Sequence, residues 1–390
     1  MNKKVLALLS VAHLVTDVNQ GALPALLPFF KESLNLSYTL AGVILLLGNI
    51  SSSVIQPAFG YISDKHPTKW FLPIAPLIAC VGLALTGLAP GYFPLLICVI
   101  VGGAGIASFH PEGYKTAHFF TGEKKATGMS IFSVGGNLGM ALGPIFALTL
   151  IQSFGAKGTV AMVVPGILMA GVLLFSTSWH SPYRPVPSAQ KKIERKEPLS
   201  PEIKRSLIIL IGIVIFRYWT QLGLLAYIPF YYINFLKGDP IYAGTLTSTF
   251  LMAGAAGTLI GSPLADRWGH RKFLSITMIL VVPLLLLFYN MKGPILFVII
   301  GITGMALICT FSVTVVMGQT LLPQHLGMAS GLMVGFSVGT GGVGVTLLGM
   351  IADAWGVPAA MKSILILPIL GFILSVLLHY PPQKTDEVRK

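Results

Sequence analysis

The sequence predicts an all-α integral membrane protein, with twelve transmembrane helices in two pseudo-symmetric six-helix bundles. Three observations predict it. First, only 10% of the 390 residues are charged and 54% are hydrophobic, with a mean hydropathy of +0.80. Soluble domains carry about 25% charged residues, so a water-soluble fold would lack the charge to cover its surface. Second, the apolar residues come in continuous runs of about 20, the length a helix needs to cross a bilayer. A spanning backbone must satisfy its own hydrogen bonds, and continuous rather than alternating apolarity selects helices over a barrel. Third, the chain repeats itself. Gln20…Pro28-Phe29 matches Gln221…Pro229-Phe230, "SDK" at 63–65 matches "ADR" at 265–267, and "FSVG" at 132–135 recurs at 336–339. The offsets are 201, 202 and 204 residues, so the two halves read as a duplication.

Span 1 covers 5–30. Its start, Met1-Asn2-Lys3-Lys4, resembles a signal peptide, but the apolar run passes Asp17 to Phe30 with no small-x-small cleavage site. It is therefore read as a helix that stays. Spans 2 to 6 follow at 38–62, 71–89, 93–118, 126–153 and 158–178. Spans 7 to 12 lie at 206–234, 241–265, 273–290, 294–319, 327–352 and 358–379. Between the sixth and seventh runs the chain is polar, Pro-rich and charged, which marks a linker. The predicted domains are 1–180, a linker at 181–204, and 205–390. Cys80, Cys98 and Cys309 sit inside apolar runs without metal-ligand spacing and read as small buried hydrophobes.

Charge sets orientation. Twenty of the 26 Lys and Arg residues fall on the N-terminal side of the membrane, five on the other, and Arg217 lies inside span 7. The positive-inside rule places both termini and the linker in the cytoplasm. The net charge of +13 therefore reflects topology and contact with anionic lipid, not a nucleic-acid surface. Glycines at 339–344 lie inside a span with no strand before them, which excludes a dinucleotide loop. Neither cofactor, metal ligand set nor nucleophile–base arrangement is expected, so the chain does not read as an enzyme.

Six plus six helices, with an acidic-basic turn after spans 2 and 8, resemble the major facilitator superfamily. "GSPLADRWGHRK" (261–272) matches its loop signature well; "GYISDKHPTK" (60–69) departs from it at His66-Pro67. Four stretches are similar to the fosmidomycin-resistance transporters: "TDVNQGALPALLP", "SSSVIQPAFGYISDK", "SFHPEGYK" and "MSIFSVGGNLGMALGP". All lie in the first half. The resemblance implies efflux of a small antibiotic of the phosphonate kind, in exchange for protons, by a monomer in the bacterial inner membrane.

The residues carry their own argument. Counted from residue 5, Asp17 lies about 18 Å deep at 1.5 Å per residue, near the middle of a ~30 Å core. His13, Thr16, Asp17 and Gln20 follow i, i+3, i+4, i+7 spacing and share one face. A charge facing lipid there costs at least about 2.5–3.5 kcal/mol, so the stripe must face protein or water. Arg217 sits about 17 Å from its end of span 7 by the same count, at the depth equivalent to Asp17 in the repeat. The alternative role for both is a latch holding the halves together. On span 4, His110 and Glu112 are further proton carriers, imidazole titrating near neutral pH; Glu112 could instead pair with Lys65 or Lys115.

Proton coupling is therefore expected of Asp17, His110 and Glu112. Substrate contacts are expected of Arg217, Gln20, Tyr218, Gln221, Tyr227, His13 and Asn137. Asp64, Lys65, Asp266, Arg267 and Arg271 read as gating latches. Glycines 135 to 143 on span 5, with Pro144, suit close helix packing, and the polar stripe Asn49, Ser52, Ser53 and Gln56 reads as packing too. If Asp17 competed with an anion for Arg217, proton and anion would bind together, which favours symport. Two alternatives therefore stand beside efflux: a proton-coupled importer of a small organic anion, and a membrane sensor that transports nothing.

Overall fold

The computed structural model describes residues 1–56, 58–59, 62, 70–121, 125–176, 201–322 and 326–380. The described chain is helical, and each predicted span coincides with a helix. Span 1 is Lys3–Ser33, and span 2 is Tyr38–Asn49 running into a π-turn at Ile50–Val54. Spans 3, 4 and 5 are Phe71–Thr86, Tyr92–Phe120 and Lys125–Phe154, and span 6 is Ala156–Met162 with Val163–Phe175. Span 7 is Pro201–Pro229 continuing as Phe230–Phe235, span 8 is Pro240–Trp268, and span 9 is His270–Asn290. Span 10 breaks at Cys309 between Ile295–Ile308 and Thr310–Leu321. Span 11 is Leu326–Trp355, and span 12 is Val357–Ser363 with Ile366–Leu377. Among the described residues, nine helices are long and apolar enough to cross a membrane, and spans 2 and 3 are shorter apolar helices.

Local chemistry sets the helix ends. Asn2 caps span 1, its side chain accepting from the Val5 N–H at 3.3 Å. Span 7 starts at Pro201, four residues inside the predicted linker. Proline lacks the N–H that a first helical turn leaves unpaired anyway, and Glu202 beside it suits the positive helix end. The rest of the predicted linker, 181–200, lies outside the described residues. The three cysteines are free.

Contacts divide the chain into two compact units. One is Met1–Lys196 with Leu225–Ser248 and Gly342–Ala360; the other is Glu197–Leu224 with Thr249–Gly341 and Met361–Lys390. In the first unit, span 1 makes its most extensive contact with span 5. The glycine stripe explains how. A Cβ on Gly135, Gly139 or Gly143 would collide with the Ser10, Leu14 or Val18 carbonyl oxygen of span 1, so the two backbones touch directly. Val5, Leu6, Leu9, Phe109 and Phe132 pack into the core beside this seam. Gly139→Ala is expected to cost about 1–3 kcal/mol, because backbone must move to admit the methyl. Gly91→Ala, with nothing within 4 Å of its Cβ, is the control. Thermal unfolding in detergent should separate the two variants; equal midpoints would count against the seam.

The other end of span 2 is held by a carboxylate. Asp353 on span 11 accepts from the Tyr38 N–H at 2.6 Å, the Thr39 N–H at 2.9 Å and the Thr39 hydroxyl at 2.6 Å. An anion at a helix N-terminus satisfies unpaired donors and the helix dipole together. Asp353→Ala should lower stability by about 1 kcal/mol, a cap-sized loss discounted for its exposure. An unchanged unfolding midpoint would make this contact incidental.

In the second unit, span 9 packs against spans 10 and 12.

Candidate functional site

Span 1 buries a carboxylate. Asp17 is 4% exposed and His13, one turn earlier, also 4%. His13 Nε2 lies 3.2 Å from Asp17 Oδ2, and His110 Nε2 of span 4 lies 3.0 Å from Asp17 Oδ1. Both carboxylate oxygens therefore face an imidazole. Each ring is fixed from behind. His13 Nδ1 is 3.0 Å from the Phe132 carbonyl oxygen, and its ring stacks on Phe132 with centroids 4.3 Å apart. His110 Nδ1 is 3.2 Å from Gln56 Nε2, which also donates to the Ser52 carbonyl at 2.6 Å. Gly136 of span 5 leaves the room, since a Cβ there would collide with His13 Nε2 and crowd Asp17 Oδ2. The three donor atoms lie within 4.8 Å of one another, a spacing that suits a shared proton and would also admit a small cation.

Glu112 is buried on span 4. Gln20 is partly exposed, and Asn137 points to an exposed face of span 5. Asn19, which the sequence did not single out, is buried and donates to Val15 O, Thr16 O and Cys80 Sγ.

The second charge lies in the other unit. Arg217 is 1% exposed. Nη1 donates to Gln221 Oε1 at 3.3 Å, while Nε and Nη2 have no hydrogen-bond partner among the described residues. The guanidinium carbon sits 5.6 Å from the Phe311 ring centroid, within cation–π range. Tyr218 and Gln221 are buried beside it in sequence. Tyr227 groups with the first unit, fully buried against Phe230, its hydroxyl unpartnered among the described residues. A buried guanidinium with idle donors is costly. Its planar fork fits a carboxylate, phosphate or phosphonate.

Of the predicted gating residues, Asp64 and Lys65 lie outside the described residues. Asp266 meets His270 Nε2 at 3.1 Å, and His270 Nδ1 faces the Tyr380 hydroxyl at 3.3 Å. Arg267 is exposed. Arg271 donates to the backbone carbonyls of Ser375 and Val376 on span 12.

Comparison with known proteins agrees with this architecture. The sequence profile of the Major Facilitator Superfamily matches residues 9–241 and 236–390. The chain is 33% identical to the fosmidomycin resistance protein of Escherichia coli (strain K12), covering 95% of this chain and 91% of that one. It is 32% identical to the uncharacterized MFS-type transporter YfnC of Bacillus subtilis (strain 168), covering 96% and 92%. In fold it is similar to a bacterial homolog of the human lysosomal transporter Spinster, with a TM-score of 0.77 at 14% identity over 96% of each chain. The chain belongs to the Major Facilitator Superfamily and is a membrane transporter, not an enzyme.

Proposed function

We propose that the protein exports a small anionic antibiotic of the phosphonate class in exchange for protons, by alternating access. The observation that carries the anion is Arg217, a fully buried cation whose Nε and Nη2 are unpartnered among the described residues. The name and 33% identity of the Escherichia coli fosmidomycin resistance protein support an antibiotic as cargo. Tyr218, Gln221, Gln20, Tyr227 and Asn137 are the further substrate contacts on this reading.

Hydrogen-bond accounting supports the proton half. The Phe132 carbonyl can only accept, so His13 Nδ1 carries its hydrogen. Nε2 of a neutral His13 then presents a lone pair to Asp17 Oδ2 at 3.2 Å. A carboxylate offers lone pairs too, so the contact is attractive only if one proton sits between them. His110 needs no such addition. Gln56 Nε2 donates to its Nδ1, leaving Nε2–H to donate to Asp17 Oδ1. The transported proton is therefore held by Asp17 with His13, which moves His13 from the substrate set into the proton site; His110 and Glu112 complete the relay. On this reading the protein is a monomer of the bacterial plasma membrane, and the lysine and arginine asymmetry places both termini in the cytoplasm.

The competing reading is import of a small organic anion with protons, since an unpaired guanidinium serves either direction. Proteoliposomes loaded with fosmidomycin decide. An inward proton gradient should drive the drug out and dissipate as it does so. Drug accumulation down that same gradient would establish symport.

A further inference from the structure

Arg271 and Lys272 open span 9 at the end where span 12 closes, since those helices cover His270–Asn290 and Ile366–Leu377. Both residues are exposed. The Arg271 Nε donates to the Ser375 carbonyl at 3.3 Å and Nη2 to the Val376 carbonyl. These bonds pin the guanidinium over the last turn of span 12 and leave three of its five N–H donors unused. Their acceptors are neutral, so the charge stays uncompensated among the described residues. Among the described residues, neither Arg271 nor Lys272 forms an ion pair.

An open groove of about 320 Å³ lies between the two helices next to these cations. Ile276, Ile279 and Phe372 line it beyond Arg271 and Lys272. Lys272, Ile276 and Ile279 recur at i, i+4 and i+7, so one stripe of span 9 runs from charge to hydrocarbon. The Ser375 hydroxyl donates to Ser275 Oγ at 2.8 Å, joining the two helices across the groove. Ile276 and Ile279 remain 36% and 41% exposed. On a helix that crosses a bilayer, such a face meets lipid tails, and its terminal cations stand at headgroup depth.

Two uncompensated cations beside an apolar groove complement a molecule with an anionic head and a hydrocarbon tail. A zwitterionic lipid carries its own ammonium and gains less from them. We propose that this groove is a binding site for an anionic phospholipid. Arg271 and Lys272 hold the phosphate, Arg271 through its unused N–H groups, and an acyl chain lies along Ile276, Ile279 and Phe372. The proposal requires only that spans 9 and 12 cross the membrane, and is independent of the cargo.

Native mass spectrometry of the purified full-length protein in detergent tests it. Dioleoyl-phosphatidylglycerol, dioleoyl-phosphatidylcholine and inorganic phosphate are titrated separately. One phosphatidylglycerol should be retained in preference to phosphatidylcholine. Lys272→Gln should weaken that retention roughly fivefold, the share of one basic residue near anionic lipid. Lys272→Glu should weaken it further and leave phosphatidylcholine unchanged. Lys272 is exposed and forms no ion pair among the described residues, so these variants remain informative if Arg271→Gln fails to fold. Phosphatidylglycerol retention unchanged in both Lys272 variants would overturn the site. So would inorganic phosphate displacing the lipid at equal concentration, because the hydrocarbon groove would then contribute nothing.

Discussion

Asp17→Asn is expected to abolish proton-driven transport and leave the fold intact. The asparagine is isosteric, and its amide suits the same two partners. Its Nδ2 can donate to His13 Nε2 where the shared proton sat, and its Oδ1 can still accept from His110 Nε2–H. Both imidazoles keep their anchors at Phe132 and Gln56, so the cluster stays satisfied in one permanent protonation state. A site that cannot gain or lose a proton cannot couple a gradient. Asp17→Leu, by contrast, strands a part-buried donor on His110 and should cost about 1 kcal/mol of stability as well. Efflux driven by an imposed pH gradient reads the first effect, thermal unfolding the second. Wild-type pH dependence in Asp17→Asn would remove this carboxylate from the mechanism.

Arg217→Met is expected to eliminate anion binding while raising stability. A buried ion whose donors are idle costs more than an apolar side chain of similar volume, and such replacements can stabilise by about 1–4 kcal/mol. Function then explains why the cost is tolerated. Arg217→Lys keeps the charge but loses the planar fork. Affinity should fall about 10- to 150-fold, the range of one lost hydrogen bond to a charged group. Fosmidomycin binding by calorimetry and unfolding midpoints give the two readouts. If Arg217 were a structural latch, Met would destabilise instead, and unchanged affinity in Arg217→Lys would take the guanidinium out of recognition.

Much of this was legible from depth and periodicity. Counting residues from the start of spans 1 and 7 put Asp17 and Arg217 far from any helix end, and both are buried. Spacing of four residues put His13 on the Asp17 face, where the contact forms. The glycine stripe announced close packing, though only the structure identifies span 1 as its partner. What pattern could not give was contact between distant segments. His110 is 93 residues from Asp17, and no periodicity links them. Gln56 read as part of a stripe that packs through side-chain hydrogen bonds; its amide makes one, to His110 of span 4, a partner that spacing could not name. Arg271 read as a gating latch because its loop carries a familiar signature; its donation to the carbonyls of span 12 is a contact that no periodicity announces.

On the proposed mechanism, the buried carboxylate of span 1 carries the proton that the cargo displaces. Proton release on fosmidomycin binding, followed with a pH indicator in weakly buffered detergent, tests it most directly. Protons should be released as the drug binds to the wild type, and none from Asp17→Asn. Proton uptake on binding, or the same release from both proteins, would contradict it.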